Sequence, residues 1–164
     1  KVEEWAVERN LHTANPQGQT LKVVEEFTEM LIADGDGNYT ETVDGIGDTF
    51  VTVIILCQQL KLDFKDILNG FNILYPKGIK VTWEDDVYSS LNGLSTGVAK
   101  GNIRLVEYSI IGILRVISSI IKKLSDTKDI NYVYCLSIAY DEIKDRKGKM
   151  IDGVFVKESD LPSN

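Results

Sequence analysis

Apolar residues recur at helical spacing along most of this chain, and Gly, Pro, Asp and Asn cluster between the apolar stretches. Trp5, Val7 and Leu11 mark a short helix over residues 2–11, which Ala14-Asn-Pro-Gln-Gly then breaks. A second helix is expected from Thr20 to Ala33, followed by a turn at Asp34-Gly-Asp-Gly-Asn. A third runs from about Glu41 to Leu60. A fourth covers 63–75 and stops before Pro76, because the residue preceding proline is disfavoured in a helix.

The stretch Lys77 to Gly101 carries Gly78, Gly93, Gly97 and Gly101 and reads as loop with a short helix around 84–92. A long apolar helix spans 103–124, Ser125-Asp-Thr-Lys turns, and a last helix covers roughly 129–146. The tail, Lys149-Met-Ile-Asp-Gly-Val-Phe-Val, places Asp-Gly between β-prone residues and predicts a small hairpin. The pattern is therefore all-α, a four- to five-helix bundle with a small C-terminal β-hairpin. The 164 residues suit a single domain.

Composition narrows the picture. A net charge of −7 argues against a protein that grips nucleic acid or an anionic membrane. It permits a nucleotide substrate, because a divalent cation reverses the local sign of an acidic site. Arg104, Glu107 and Arg115 interrupt the apolar helix 103–124, and each charge would cost about 3 kcal/mol in a bilayer. That helix is expected to be core or a subunit interface, and its apolar surface predicts a homodimer or a dimer of dimers. Cys57 and Cys135 form neither a CxxC nor a disulfide framework, which fits a reducing, cytoplasmic setting. The opening residues lack a signal peptide's apolar stretch.

The chemistry lies in acids. At about 100° per residue, Glu25, Glu26 and Glu29 share one arc of the second helix, opposite Val23, Phe27 and Met30. Taken alone, this is an amphipathic helix with a solvated acidic face. Asp44 and Asp48 are more telling. They stack one turn apart on the third helix, in line with Val51 and Ile55, and Phe50-Val-Thr-Val-Ile-Ile-Leu-Cys is apolar on almost every side. Two aspartates at the head of a buried helix need compensation, and no Lys or Arg lies between Glu41 and Lys61. A divalent cation held by oxygen ligands is the economical answer. Gly45 and Gly47 flank the pair and permit close approach of a helix or ligand.

Glu25-Glu26-Phe-Thr-Glu29 followed by Asp44-Gly-Ile-Gly-Asp48 resembles the EExxE…(E/D)xxxD arrangement of the MazG-like nucleotide pyrophosphohydrolases, within the all-α NTP pyrophosphatase superfamily. Trp5-Ala-Val-Glu-Arg-Asn-Leu-His resembles that family's opening helix. Ala139-Tyr-Asp-Glu-Ile-Lys-Asp-Arg-Lys-Gly-Lys-Met and Gly153-Val-Phe-Val-Lys resemble its closing segment. The resemblance covers residues 5–60 and 136–160, and makes 77–130 an insertion. It implies Mg²⁺, with Mn²⁺ as a substitute, on Glu26, Glu29, Asp44 and Asp48, and hydrolysis of (d)NTPs to the monophosphate and pyrophosphate. The sequence departs from the commonest pattern at Gly45, where many relatives carry Glu, and at Asp141, where many carry Asn ahead of Lys144.

Glu25 and Glu29 are the candidates to orient or deprotonate the attacking water. Arg9, Lys22, Lys144 and Arg146 are the candidates to hold the triphosphate, although a basic cluster after the last helix also suits that helix's dipole. Trp5 and Tyr140 are more in keeping with core than with stacking on a base. Asp34-Gly-Asp-Gly-Asn-Tyr fails as an EF-hand loop, with Tyr39 and Gly45 where glycine and glutamate are required. His12 has no ligand neighbours at metal spacing. Against the hydrolase stands a non-catalytic helical module that binds a nucleotide or a partner protein, and the departures at Gly45 and Asp141 keep it open.

Overall fold

The computed structural model describes residues 1–75, 83–125, 130–151 and 154–158, with backbone alone at 83–85 and 154. Among the described residues there are seven α-helices, a 3₁₀ turn at Leu11–Thr13 and one antiparallel pair of strands. The helices are α1 (Val2–Glu8), α2 (Pro16–Gly35), α3 (Tyr39–Gln59), α4 (Phe64–Leu74), α5 (Trp83–Lys100), α6 (Ile103–Ser125) and α7 (Tyr132–Ile143). The strands are β1 (Gly148–Ile151) and β2 (Val154–Lys157), with Gly148 opposite Lys157 and Ile151 opposite Val154. The mostly helical class, the seven helical stretches read along the chain and the C-terminal strand pair agree with the pattern; a bundle of four or five helices is too small. The predicted turns at Ser125-Asp-Thr-Lys and Asp152-Gly153, and the loop before Trp83, fall largely outside the described residues.

α2 begins four residues earlier than the apolar spacing suggests. Asn15 accepts a hydrogen bond from the Gln17 amide at 2.9 Å and Pro16 occupies the first helical position, where its fixed φ and missing N–H do no harm. The Asp-Gly turn ends α2, with Gly37 at φ +69, and Asn38 caps α3. Three connecting residues force α2 and α3 to lie side by side as an antiparallel hairpin.

The larger correction is α5. The short helix expected around 84–92 is an 18-residue helix that runs through Gly93 and Gly97. These glycines mark where α5 presses on α6: a Cβ at Gly97 would lie 2.8 Å from Val106 Cγ2 and 3.1 Å from its backbone nitrogen. Gly101, at φ +64, then ends the helix. The charge that interrupts α6 is matched across this pair, as Arg115 meets the largely buried Asp86 at 2.9 Å.

α3 is the hub, packed against α1, α2, α4 and α7, while α5 also touches α2 and α4 touches α6. Phe27, Met30, Ile46, Leu56, Ile110, Ile113 and Ile117 are fully buried in one continuous core. α6 buries Val106, Ile110, Ile113, Leu114, Val116, Ile117 and Ile120 within this chain. These side chains find their partners within this chain. No single helix among the described residues is long and apolar enough to cross a membrane.

Candidate functional site

The antiparallel α2–α3 hairpin brings its acids to a common place. Glu26 and Glu29 of α2 and Asp44 and Asp48 of α3 all line one open cavity of about 370 Å³, joined at its rim by Asp36 and Glu41. The close approach that allows this depends on Gly45. A Cβ there would lie 2.9 Å from Met30 Cβ and 3.0 Å from Met30 Cα. No carboxylate fits at position 45, because that position is spent on helix contact, and Asp44 one step earlier faces the cavity instead. Gly47 serves the other side of α3, where a Cβ would meet the Cys135 carbonyl and Ala139 of α7.

Charge is poorly compensated in this cavity. Burial, followed by the neighbouring Asp48, pushes the Glu26 carboxyl up to about 7 from an ordinary 4.5. Burial, followed by Asp44, pushes Asp48 up to about 6 from 3.8, with Glu142 and Glu29 adding to the rise and Arg146 opposing it. Asp44 Oδ1 is buried without a hydrogen-bond partner. The donor set is hard oxygen throughout, the chemistry of Mg²⁺ rather than of a soft metal. Among the described residues, however, no three such side chains are gathered tightly enough to ligate one ion as they stand. The donor chemistry and electrostatics fit a cation; the spacing is looser than coordination requires.

The basic candidates separate. Arg146 lies close enough to Asp48 to lower its proton affinity, and with Lys22 and Lys157 it lines a second cavity of about 440 Å³. Glu26 and Asp48 stand in the walls of both cavities. Lys22 is exposed and paired with Glu25 at 2.6 Å, a contact that raises the lysine's proton affinity. Arg9 is committed elsewhere. Its guanidinium donates to the Arg146 carbonyl at 2.9 and 3.1 Å and to the Lys144 carbonyl at 3.2 Å, and it stacks over Trp5 at 4.6 Å. Lys144 turns to solvent and pairs with Asp141 at 2.8 Å. Arg9 therefore holds the end of α7 in place, so that Arg146 faces the acids.

Trp5 is core. Its Nε1 donates to the Ile143 carbonyl at 2.8 Å, and the Phe155 ring meets it edge-on. Tyr140 and Asp141 line a third and larger cavity of about 500 Å³ between α1, α3, α4 and α7, where Glu3 and Asp141 are accompanied by Lys1 and Lys65 and the acids of α2 and α3 are absent. Burial pushes the thiols of Cys57 and Cys135 up to about 12 and about 11, leaving them inert packing residues. The sequence pattern missed Glu142 of α7, whose charge acts on Asp48 from a distant segment, and passed over Gln19 of α2 and Gln59 of α3, which line the second cavity from the same two helices as the acids.

No protein-family profile matches the chain, and no solved structure matches it. It is similar to an uncharacterized 18.2 kDa protein from the rep-hol intergenic region of Haemophilus phage HP1 (strain HP1c1), at 38% identity over 63 residues. That match takes in 38% of this chain and 39% of the phage protein's length.

Proposed function

We propose that this protein is a Mg²⁺-dependent nucleoside triphosphate pyrophosphohydrolase with its centre on the α2–α3 hairpin. The observation that carries the reading is the shared cavity of Glu26, Glu29, Asp44 and Asp48, in which Glu26 and Asp48 hold protons far more tightly than ordinary carboxylates. A folded chain keeps such a repulsive group of acids when a cation is meant to occupy it, and perturbed carboxylates in a cleft are the mark of a functional site. When bound, Mg²⁺ would neutralise phosphate charge and activate a water for attack. Glu26, Glu29, Asp44 and Asp48 would hold it, drawn inward from the wider spacing they have without it. Arg146 and Lys22 flank the same carboxylates and would take the phosphates. Glu29, in the acidic cavity, is placed to orient the water; Glu25, tied to Lys22, is better placed to position that lysine.

The test is pyrophosphate release from a panel of NTPs and dNTPs. Release is expected with Mg²⁺, none with EDTA, and a loss of about 10³-fold or more in Glu26→Gln. The loose spacing of the acids favours one rival, a module that binds nucleotide without turnover. Tight Mg²⁺-dependent nucleotide binding with no release from any triphosphate would establish that rival. The assembly proposed with either reading is a homodimer or a dimer of dimers, to be checked by solution mass.

A further inference from the structure

Three cations line the second cavity, and the fold treats them differently. Lys22 is tied to Glu25. Among the described residues the Arg146 and Lys157 side chains make no ion pair or hydrogen bond, yet the backbone beneath each is anchored. The Arg9 guanidinium holds the Arg146 carbonyl at 2.9 and 3.1 Å. Gly148, two residues beyond Arg146, stands opposite Lys157 in the strand pair, and the Glu158 amide then donates to the Lys147 carbonyl at 2.9 Å. Residues opposite one another in an antiparallel pair share a face, as do alternate residues along a strand. Gly148, Phe155 and Lys157 therefore lie on one face of the hairpin, and Lys149 and Val156 on the other. The first face is turned to the cavity: Phe155 and Lys157 both line it, and the Phe155 ring meets Trp5 of α1 edge-on at 6.1 Å. Gly148 makes room for that ring, since a Cβ there would lie 2.6 Å from Phe155 Cζ. The hairpin is thus keyed onto α1, and what it carries to the cavity wall is a lysine with no charge to neutralise. A free ammonium beside a free guanidinium, in a concave wall shared with Glu26 and Asp48, suits an anion that extends past those carboxylates.

We propose that Lys157 is a phosphate-binding residue, and that with Arg146 it forms an anion subsite for the part of a polyphosphate that a cation on Glu26 and Asp48 does not hold. The C-terminal hairpin is then a working wall of the site, with Gly148 and Phe155 as the residues that position its lysine. The assignment rests on the pyrophosphohydrolase reading for the identity of the anion; the role of Lys157 itself can be read from binding.

The experiment measures binding of inorganic tripolyphosphate by calorimetry with Mg²⁺ present, and, separately, KM and kcat over the panel of triphosphates. Lys157→Met keeps an unbranched side chain and removes the charge. It is expected to weaken tripolyphosphate binding about tenfold and to raise KM by a similar factor, with kcat within about twofold of the parent. Lys157→Arg should recover most of the affinity. Lys149→Met, on the other face of the same hairpin, should bind as the parent does. Tripolyphosphate binding by Lys157→Met within about twofold of the parent, equal losses from Lys149→Met and Lys157→Met, or no binding by the parent would overturn the inference. Turnover with a KM that Lys157→Met leaves unchanged sinks it while leaving the hydrolase standing. Tripolyphosphate binding that depends on Lys157, without pyrophosphate release from any triphosphate, keeps it and removes the hydrolase.

Discussion

A single residue shows how much a shared face decides. Asp44 and Asp48 could be assigned to a site because four residues make one helical turn, and the apolar residues below them say that the turn is going into the protein. Arg146 and Lys144 are two residues apart and chemically alike, yet the fold sends one to Asp48 and the other to solvent and Asp141. What separates them is Arg9, more than a hundred positions away, which grips the carbonyls of both. No local spacing could carry that information. On the proposed reading, Arg146→Ala should raise the KM for the triphosphate by about tenfold or more, since it would remove a cation from beside the phosphates. Lys144→Ala is expected to stay within about twofold of the parent, because exposed ion pairs of its kind contribute little. Equal losses from both changes would mean that phosphate lies nearer the end of α7 than the cavity suggests. Arg146→Ala should also raise the Asp48 pKa further, as a neighbour that opposes its rise is gone.

At the scale of elements, glycine proved the most ambiguous symbol in the chain. Gly93 and Gly97 were grounds for a loop, and they lie inside an 18-residue helix because α6 comes too near for any side chain. Gly45 and Gly47 sit in a helix for the same reason, and there the surrounding apolar run made the helix plain. Glycine as a breaker and glycine as a contact look alike until the partner element is known, and for α5 the partner lies beyond Gly101. The start of α2 was legible in principle, in Asn15-Pro16, but apolar periodicity begins later and drew the boundary to Thr20. The Gly45 contact can be tested directly. Gly45→Ala gains about 1 kcal/mol of helix propensity. It also drives a methyl into Met30 Cβ and Cα, and the backbone of a packed helix cannot step aside as a flexible side chain can. A net loss of about 1–2 kcal/mol in urea unfolding is expected, together with weaker Mg²⁺ binding as α2 is levered away from α3. A variant as stable as the parent, or more so, would show that the two helices have slack at this crossing.

The whole molecule carries the strain of its own site, and pH should expose it. Glu26 and Asp48 titrate near 7 and near 6 when folded, against ordinary values of 4.5 and 3.8. Folding therefore takes up protons in the interval between the unfolded and folded values, and stability must fall as pH rises through it. The contribution is fully present below about pH 4 and lost above about pH 7. Without divalent cation the melting temperature should decline from about pH 5 to about pH 8, the opposite of a protein whose carboxylates are stabilised by ion pairs. On the proposed reading Mg²⁺ would substitute for the lost protons, so its stabilising increment should be small at pH 5 and grow with pH. Glu26→Gln removes a partly buried charge and its repulsion of Asp48 while keeping the shape of the side chain. It should melt higher than the parent at pH 8 without metal, by about 2–4 °C for each kcal/mol relieved in a chain of this size, and lose most of the Mg²⁺ increment. A gain in stability bought with loss of turnover separates a working site from a solvated acidic face, where the same change would move neither. A melting temperature flat from pH 5 to pH 8 and indifferent to Mg²⁺ would mean that these carboxylates are open to water, and the site assigned to them would have to be given up.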